Sequence, residues 1–199
     1  MMKALTAFCI ACVITIAFAT PTFAQSSQNP NDSQEKFWQA LQALCGKAFE
    51  GTVAAAPAND TAFRNKTLLM HVRACGEKSI RIPFMVGENG SRTWVLTRGE
   101  KQLVLKHDHR HEDGSDDSIT MYGGATSNSG SATMQYFPAD QQTVDMLPAA
   151  AGNVWWIGLE PGKYFTYNLR RMGSDRIFSI RFDISKPVAS PPAPWGWRD

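Results

Sequence analysis

The chain has 199 residues, of which 43% are hydrophobic and 19% are charged, and its formal net charge is +2 at pH 7. This length is enough for one domain with a sizeable hydrophobic core. The near-balance of charge argues against nucleic acid or an anionic membrane as an obligatory partner, because either would favour a strongly basic surface.

Residues 1–24 have the pattern of a secretory signal peptide. Lys3 precedes an apolar run that ends before Pro21, and small residues surround a cleavage site after Ala24. Cleavage there would leave 175 residues, with 19 basic and 18 acidic side chains. No later segment is apolar enough to span a bilayer. We therefore expect an exported protein, with the periplasm as the favoured compartment.

Loss of the signal peptide would leave two cysteines, Cys45 and Cys75. In an oxidising compartment two remaining cysteines most economically pair with each other. Neither has the Cys-x-x-Cys spacing of a redox site. The sequence therefore predicts a structural disulfide between them.

The next two segments are a flexible leader and a short helix. Residues 25–31 are polar and without apolar periodicity, which is typical of a leader. The helix should run from Asp32 to Cys45, with Asp32 or Ser33 as its cap and Gly46 marking its end. One face carries apolar residues at spacings of three and four: Phe37, Trp38, Leu41, Leu44, Cys45 and Ala48.

From there to residue 184 the apolar period is two, which is typical of half-buried strands. Nine runs are candidate strands, and "AFEGTV" is a possible tenth. The nine runs cover residues 67–75, 79–87, 92–98, 103–111, 118–123, 132–137, 153–160, 163–170 and 176–184.

The connectors between these runs are short and contain Asn-Gly, Asp-Gly or Pro-Gly, which favour tight hairpins. We therefore predict an all-β domain over residues 32–184, an antiparallel meander of about nine or ten strands closed into a barrel with the helix over one end. A two-sheet β-sandwich is the alternative.

Two segments fall outside this pattern. Residues 138–152 form one long connector, which is often a lid or a binding loop in compact domains. Residues 185–199 form a Pro-rich tail, whose prolines forbid a central strand. Trp195 and Trp197 could dock this tail on the body, or the tail could engage a partner protein.

This order of a signal peptide, one short helix and a single meander resembles the calycin group, which includes lipocalins and fatty-acid-binding proteins. The resemblance covers roughly residues 32–184 and implies a β-barrel. The first strand reads "FEGTV", where lipocalins carry a Gly-x-Trp signature. The segments "KHDHRHEDG" and "RTWVLTR" also resemble stretches of secreted bacterial proteins, a resemblance that implies no activity.

The stretch "LVLKHDHRHEDGSDD" holds three of the four histidines. Strand alternation places Leu103, Leu105, His107, His109 and His111 on the apolar face, and turns Lys106, Asp108 and Arg110 toward water. Residues two apart on a strand are separated by roughly 6.6 Å and residues four apart by about 13 Å, so an adjacent pair can share an ion but the triplet cannot.

If a metal such as zinc binds, we expect His107 and His109 to hold it. A third ligand would come from His71, from an acid of the following turn, or from His111 if a bulge turns it inward. The alternative is a set of half-buried histidines hydrogen-bonded to turn carboxylates at a barrel mouth.

We expect a non-enzymatic binding protein whose barrel mouth takes a small molecule or ion, with Trp94 and Tyr122 as aromatic walls. One alternative is a zinc-dependent hydrolase, in which two histidines and a carboxylate leave a position open for water. The other is an envelope component that binds a partner protein and holds no small ligand. The sequence contains no nucleophile elbow, P-loop or dinucleotide-binding motif.

Overall fold

A computed structural model describes residues 30–198. The predicted signal peptide and most of the predicted leader lie outside this range. Helix α1 covers Pro30–Gln42 and helix α2 covers Gln141–Met146, followed by a 3-10 turn at Pro148–Ala150. Residues 30–198 also form eleven strands: β1 Ala48–Ala55, β2 Leu68–His71, β3 Ala74–Cys75, β4 Ser79–Val86, β5 Asn89–Arg98, β6 Leu103–His109, β7 Tyr122–Ala125, β8 Met134–Pro138, β9 Asn153–Glu160, β10 Tyr164–Arg171 and β11 Ile177–Asp183.

All strands belong to one antiparallel sheet in the order β7-β6-β5-β4-β2-β1-β11-β10-β9-β8, with β3 paired to β4. The sheet curls until its two edge strands lie side by side. Between them, the Asp140 amide donates to the Gly123 carbonyl at 3.0 Å, and the Thr143 hydroxyl donates to the same oxygen at 2.7 Å. The prediction of an antiparallel barrel is therefore confirmed in a nearly closed form, and a two-sheet sandwich does not form.

Glycine permits this closure. A Cβ atom on Gly124 would lie 1.7 Å from the Pro138 carbonyl oxygen, so any larger residue in β7 would force the edge strands apart. The Gly-Gly pair is visible in the sequence as "YGGA", but its contact with Pro138 is not. Strands β7 and β8 are the two ends of the sheet and do not pair through a regular ladder, so no strand pattern predicts that they meet.

Helix α1 plugs one end of the barrel. Phe37, Trp38 and Leu41 are fully buried in the core, as their spacing predicts. Cys45 and Cys75 are bonded, with their Cα atoms 6.2 Å apart, so the predicted disulfide is confirmed. None of the helices among residues 30–198 has the length and apolar character needed to cross a membrane.

Several boundaries differ from the predicted ones. Helix α1 begins at Pro30, inside the predicted leader, and ends at Gln42. The predicted 67–75 strand is split into β2 and β3. The β4–β5 turn is Gly87–Glu88, with Gly87 at φ +60°, so the predicted Asn-Gly turn lies within β5 instead. The glycine with the left-handed backbone sets the turn.

The connector 138–152 is also more ordered than predicted. It holds α2, whose N-cap is Asp140: the Asp140 carboxylate accepts a hydrogen bond from the Thr143 amide at 2.9 Å. Six residues are too few for an apolar period to show in the sequence.

Residues 185–198 run along the outside of the barrel and are called the C-terminal strap here. The Val188 amide donates to the Ala48 carbonyl at 2.9 Å, and the Trp195 amide donates to the Gly90 carbonyl at 3.0 Å. The Trp197 ring lies under the guanidinium of Arg81, 5.8 Å from its centroid. Both tail tryptophans thus lie against the body of the protein.

Candidate functional site

A cavity of about 430 Å³ opens at the barrel end opposite α1. It is called the barrel cavity below. Nineteen residues from β4–β7, β9–β11 and the adjoining loops line it: Asp60, Phe63, Phe84, Arg92, Thr93, Trp94, His107, His109, Asp117, Ile119, Tyr122, Leu147, Asn153, Trp155, Tyr167, Leu169, Arg171, Arg176 and Phe178. Its volume falls in the range of pockets that bury small organic ligands, about 300 to 1,000 Å³.

Aromatic rings form much of its wall because inward-facing positions of neighbouring strands meet at one level of the barrel. The Trp94 ring stacks on Phe84 at a centroid distance of 4.9 Å and on Tyr167 at 4.4 Å, with interplanar angles of 12° and 18°. Trp94 and Tyr122, the two predicted wall residues, both line this cavity.

His107 lies at the base of the cavity and is 3% exposed. Its Nδ1 lies 3.0 Å from the Tyr122 carbonyl oxygen, which can only accept, so Nδ1 carries the proton. Nε2 therefore accepts from the Tyr167 hydroxyl at 2.6 Å. Burial lowers the pKa of His107 to about 3, so its imidazole is neutral at pH 7.

His109 lies two residues further along β6, nearer the mouth of the cavity, and is half-buried. Its Nε2 is 3.2 Å from the Tyr122 hydroxyl, and Tyr122 also stacks on the His107 ring at 4.6 Å. Burial lowers the pKa of His109, as does the positive charge of Arg92, its partner residue across β5 and β6. The two histidines are joined through one tyrosine.

The four histidines do not gather into one site. His111 follows the end of β6 in an exposed turn, and His71 lies in β2, away from the barrel cavity. Among residues 30–198, no three His, Cys, Asp or Glu side chains are arranged to hold a metal ion. Zinc at His107 and His109 stays a prediction, and it would require His107 to give up one of its two hydrogen bonds.

The hydrogen-bond partners of the two cavity histidines were predicted incorrectly as turn carboxylates, since both histidines bond to tyrosines. The carboxylate of Asp117 in the turn accepts instead from the Ile119 amide at 3.0 Å, within its own loop. Tyrosine partners could not be read from the sequence, because Tyr167 is 60 residues from His107.

The prediction that the outer face of β6 lies in water is wrong for Asp108. Leu103, Leu105 and His107 point inward as expected, but Asp108 is only 3% exposed. It accepts from Arg81 at 2.6 Å and from Arg110 at 2.8 Å. Alternation predicts which side a residue faces, but not that the neighbouring arginines and Thr120 would cover that side.

Three arginines at the mouth were missed by the sequence reasoning: Arg92, Arg171 and Arg176. Arg92 was visible in "RTWVLTR", where alternate positions put it on the same face as Trp94 and Leu96. Arg171 donates to the Asn153 side-chain oxygen at 3.0 Å, and Arg176 is exposed.

No protein-family model, curated protein or solved structure matches this chain. The likeness to calycins therefore depends on the nearly closed antiparallel barrel alone.

Proposed function

We propose that this is an exported, non-enzymatic binding protein that holds a small, largely apolar molecule in the barrel cavity. The observation that carries the proposal is the cavity itself, about 430 Å³ in volume, plugged at one end by α1 and walled by aromatic side chains. Such concave, mostly apolar sites with a few placed polar groups are typical of small-molecule binding.

The polar groups of the cavity support binding more than catalysis. Both ring nitrogens of His107 form hydrogen bonds within the protein. Burial raises the pKa of Tyr122 to about 12. A neutral imidazole with both nitrogens occupied is a poor general base, and a phenol with a raised pKa is a poor nucleophile. Export is supported by the signal-peptide pattern and by the disulfide, which persists in oxidising compartments.

The experiment is to fill the cavity. Leu169 faces the cavity, so Leu169→Trp should occupy part of its volume. Leu69 is likewise a half-buried strand leucine but does not line the cavity, so Leu69→Trp is the matched control. We expect the neutral fluorescent probe phenylnaphthylamine to bind the wild type and Leu69→Trp, and to lose at least about tenfold in affinity for Leu169→Trp. Failure of the probe to bind any of the three would contradict the proposal.

A further inference from the structure

Arg92 stands out among the cavity residues because its charge is uncompensated. It projects inward on the same face of β5 as Trp94, and it is half-buried. No carboxylate within the described part of the chain pairs with it at 4.0 Å or less. A buried charge without a partner is costly, so such positions are unusual unless a ligand supplies the partner.

The opposite end of the same strand provides an internal comparison. Arg98 occupies an equivalent inward position six residues further along β5, at the end that α1 plugs. There Glu35 of α1 forms an ion pair with it. Within the described part of the chain, the arginine at the plugged end therefore has a carboxylate partner and the arginine at the open end has none.

The guanidinium of Arg92 is also held in place. Its Nη1 donates to the Asn89 side-chain oxygen at 2.9 Å and to the Ser91 hydroxyl at 3.1 Å. The group lies over the Phe63 ring at 5.6 Å. Its Nε and Nη2 have no acceptor among residues 30–198, so two adjacent donors remain available in a fixed plane, the geometry that suits carboxylate or sulfonate oxygens.

The acids of the mouth do not replace such a ligand. Asp60 and Asp117 line the cavity, but each carboxylate accepts from an amide in its own loop: Ala62 at 3.3 Å and Ile119 at 3.0 Å. The remaining neighbours, His109 and Tyr122, are neutral at pH 7, since burial lowers the pKa of the imidazole and raises that of the phenol.

We infer that the ligand is an apolar molecule carrying a single carboxylate or sulfonate, with the anionic group on Arg92 and the apolar body against the rings around Trp94. This inference rests on the proposed function, because it assigns the chemistry of the molecule that the cavity would hold. Arg171 and Arg176 add positive potential at the mouth, which favours the approach of an anion.

The test compares two fluorescent probes that differ only by one sulfonate group, which carries a single negative charge. Anilinonaphthalene sulfonate is phenylnaphthylamine with a sulfonate added, and both fluoresce when they leave water. We expect the wild type to bind the sulfonate at least about tenfold more tightly, since hydrogen bonds to charged groups are among the stronger polar contacts. Arg92→Gln should remove this preference, so that the ratio of the two affinities falls to about one. Arg170→Gln makes the same charge change on an exposed residue outside the cavity, and it should keep the preference.

The outcomes separate the two proposals. Equal affinity of the wild type for both probes would overturn the inference and leave the proposed function standing. A preference for the sulfonate that survives Arg92→Gln would overturn the assignment to Arg92. No binding of phenylnaphthylamine by the wild type would overturn the proposed function, whether or not the sulfonate binds. If Arg92→Gln fails to give a cooperative thermal transition, Arg92→Lys serves instead. Lysine keeps the positive charge but lacks the planar guanidinium with its two adjacent donors, so the preference for the sulfonate should fall to an intermediate value. An unchanged preference would contradict the two-donor geometry.

Discussion

At the scale of single residues, strand alternation correctly placed His107 on the inward face of β6. It was wrong for His111, which lies in an exposed turn because β6 ends at His109. It also did not indicate what the histidines bond to. Leu103, Leu105 and His107 are inward and buried. The tyrosines that fix His107 and His109 come from β7 and β10, and only the folded sheet brings them together. The burial of Asp108 was missed for the same reason, because its partner Arg81 lies two strands away in the sheet.

His107 should make stability depend on pH. Its pKa is lowered by burial to about 3, whereas the unfolded chain has the ordinary value of 6.5. Between these values the unfolded state binds the extra proton, so this contribution is fully present above about pH 6.5 and is lost as pH falls toward 3. At about 1.4 kcal/mol for each pH unit, roughly 2 kcal/mol should disappear between pH 6.5 and pH 5.

Urea denaturation at the two pH values measures this loss. His107→Gln should reduce it by about 2 kcal/mol, while His111→Gln, at an exposed position, should leave it unchanged. An unchanged pH dependence in His107→Gln would mean that the buried imidazole is not its source.

At the scale of elements, strand existence was readable and strand ends were not. Nine of the eleven strands lie largely within predicted runs, and the short β3 falls within the same run as β2. Strand β7 shares only residues 122–123 with the predicted run 118–123. The errors lie where a glycine or a neighbouring segment decides the boundary, as at Gly87 for the β4–β5 turn and at Gly123–Gly124 for β7. Gly90 was misread as a turn residue, but it is where the strap lies against β5.

The disulfide should contribute strongly to stability because it ties α1 to the start of the sheet. It closes a loop with a sequence separation of 30 residues. The chain-entropy model gives about 3 to 4 kcal/mol for such a loop. A Cys45→Ser, Cys75→Ser double variant should lose about that much in urea denaturation, and reduction of the wild type should lose the same amount. If the double variant loses stability but reduction of the wild type does not, the loss comes from the introduced serines and not from the missing disulfide.

The C-terminal strap should order the loop that follows β6. The strap meets that loop closely, since a Cβ atom on Gly114 would lie 2.7 Å from the Cα of Gly196. Deletion of residues 189–199 removes this contact and the bond from Trp195 to Gly90. We expect faster amide hydrogen exchange in residues 110–119 and unchanged exchange in β9 and β10, to which residues 189–198 make no hydrogen bond. Uniformly faster exchange throughout the barrel would contradict a local role.

At the scale of the whole molecule, the two ends of the barrel differ in structure. One end is filled by α1, held by the disulfide and by the Glu35–Arg98 ion pair. The other end keeps the barrel cavity and Arg92, which has no carboxylate within 4.0 Å among residues 30–198. The barrel, the helix and the disulfide between them could be predicted from the sequence. The first two follow from apolar periodicity, and the disulfide follows from the two cysteines that remain after the predicted signal peptide. It could not predict the cavity, because empty volume depends on how the side chains of seven strands pack against one another.

A ligand in this cavity should stabilise the barrel as one unit. The lining residues come from β4–β7 and β9–β11, so a bound molecule contacts strands from most of the sheet. Binding to the native state alone at one hundred times the Kd adds about 2.7 kcal/mol to the free energy of unfolding. Anilinonaphthalene sulfonate at that concentration should therefore raise the urea midpoint of the wild type, with far-ultraviolet circular dichroism and tryptophan fluorescence reporting the same transition. Leu169→Trp, with at least about tenfold weaker binding because its cavity is partly filled, should gain no more than about 1.4 kcal/mol at the same probe concentration, roughly half of the wild-type gain. A shift of equal size in both proteins would place the probe on the surface and not among the rings around Trp94.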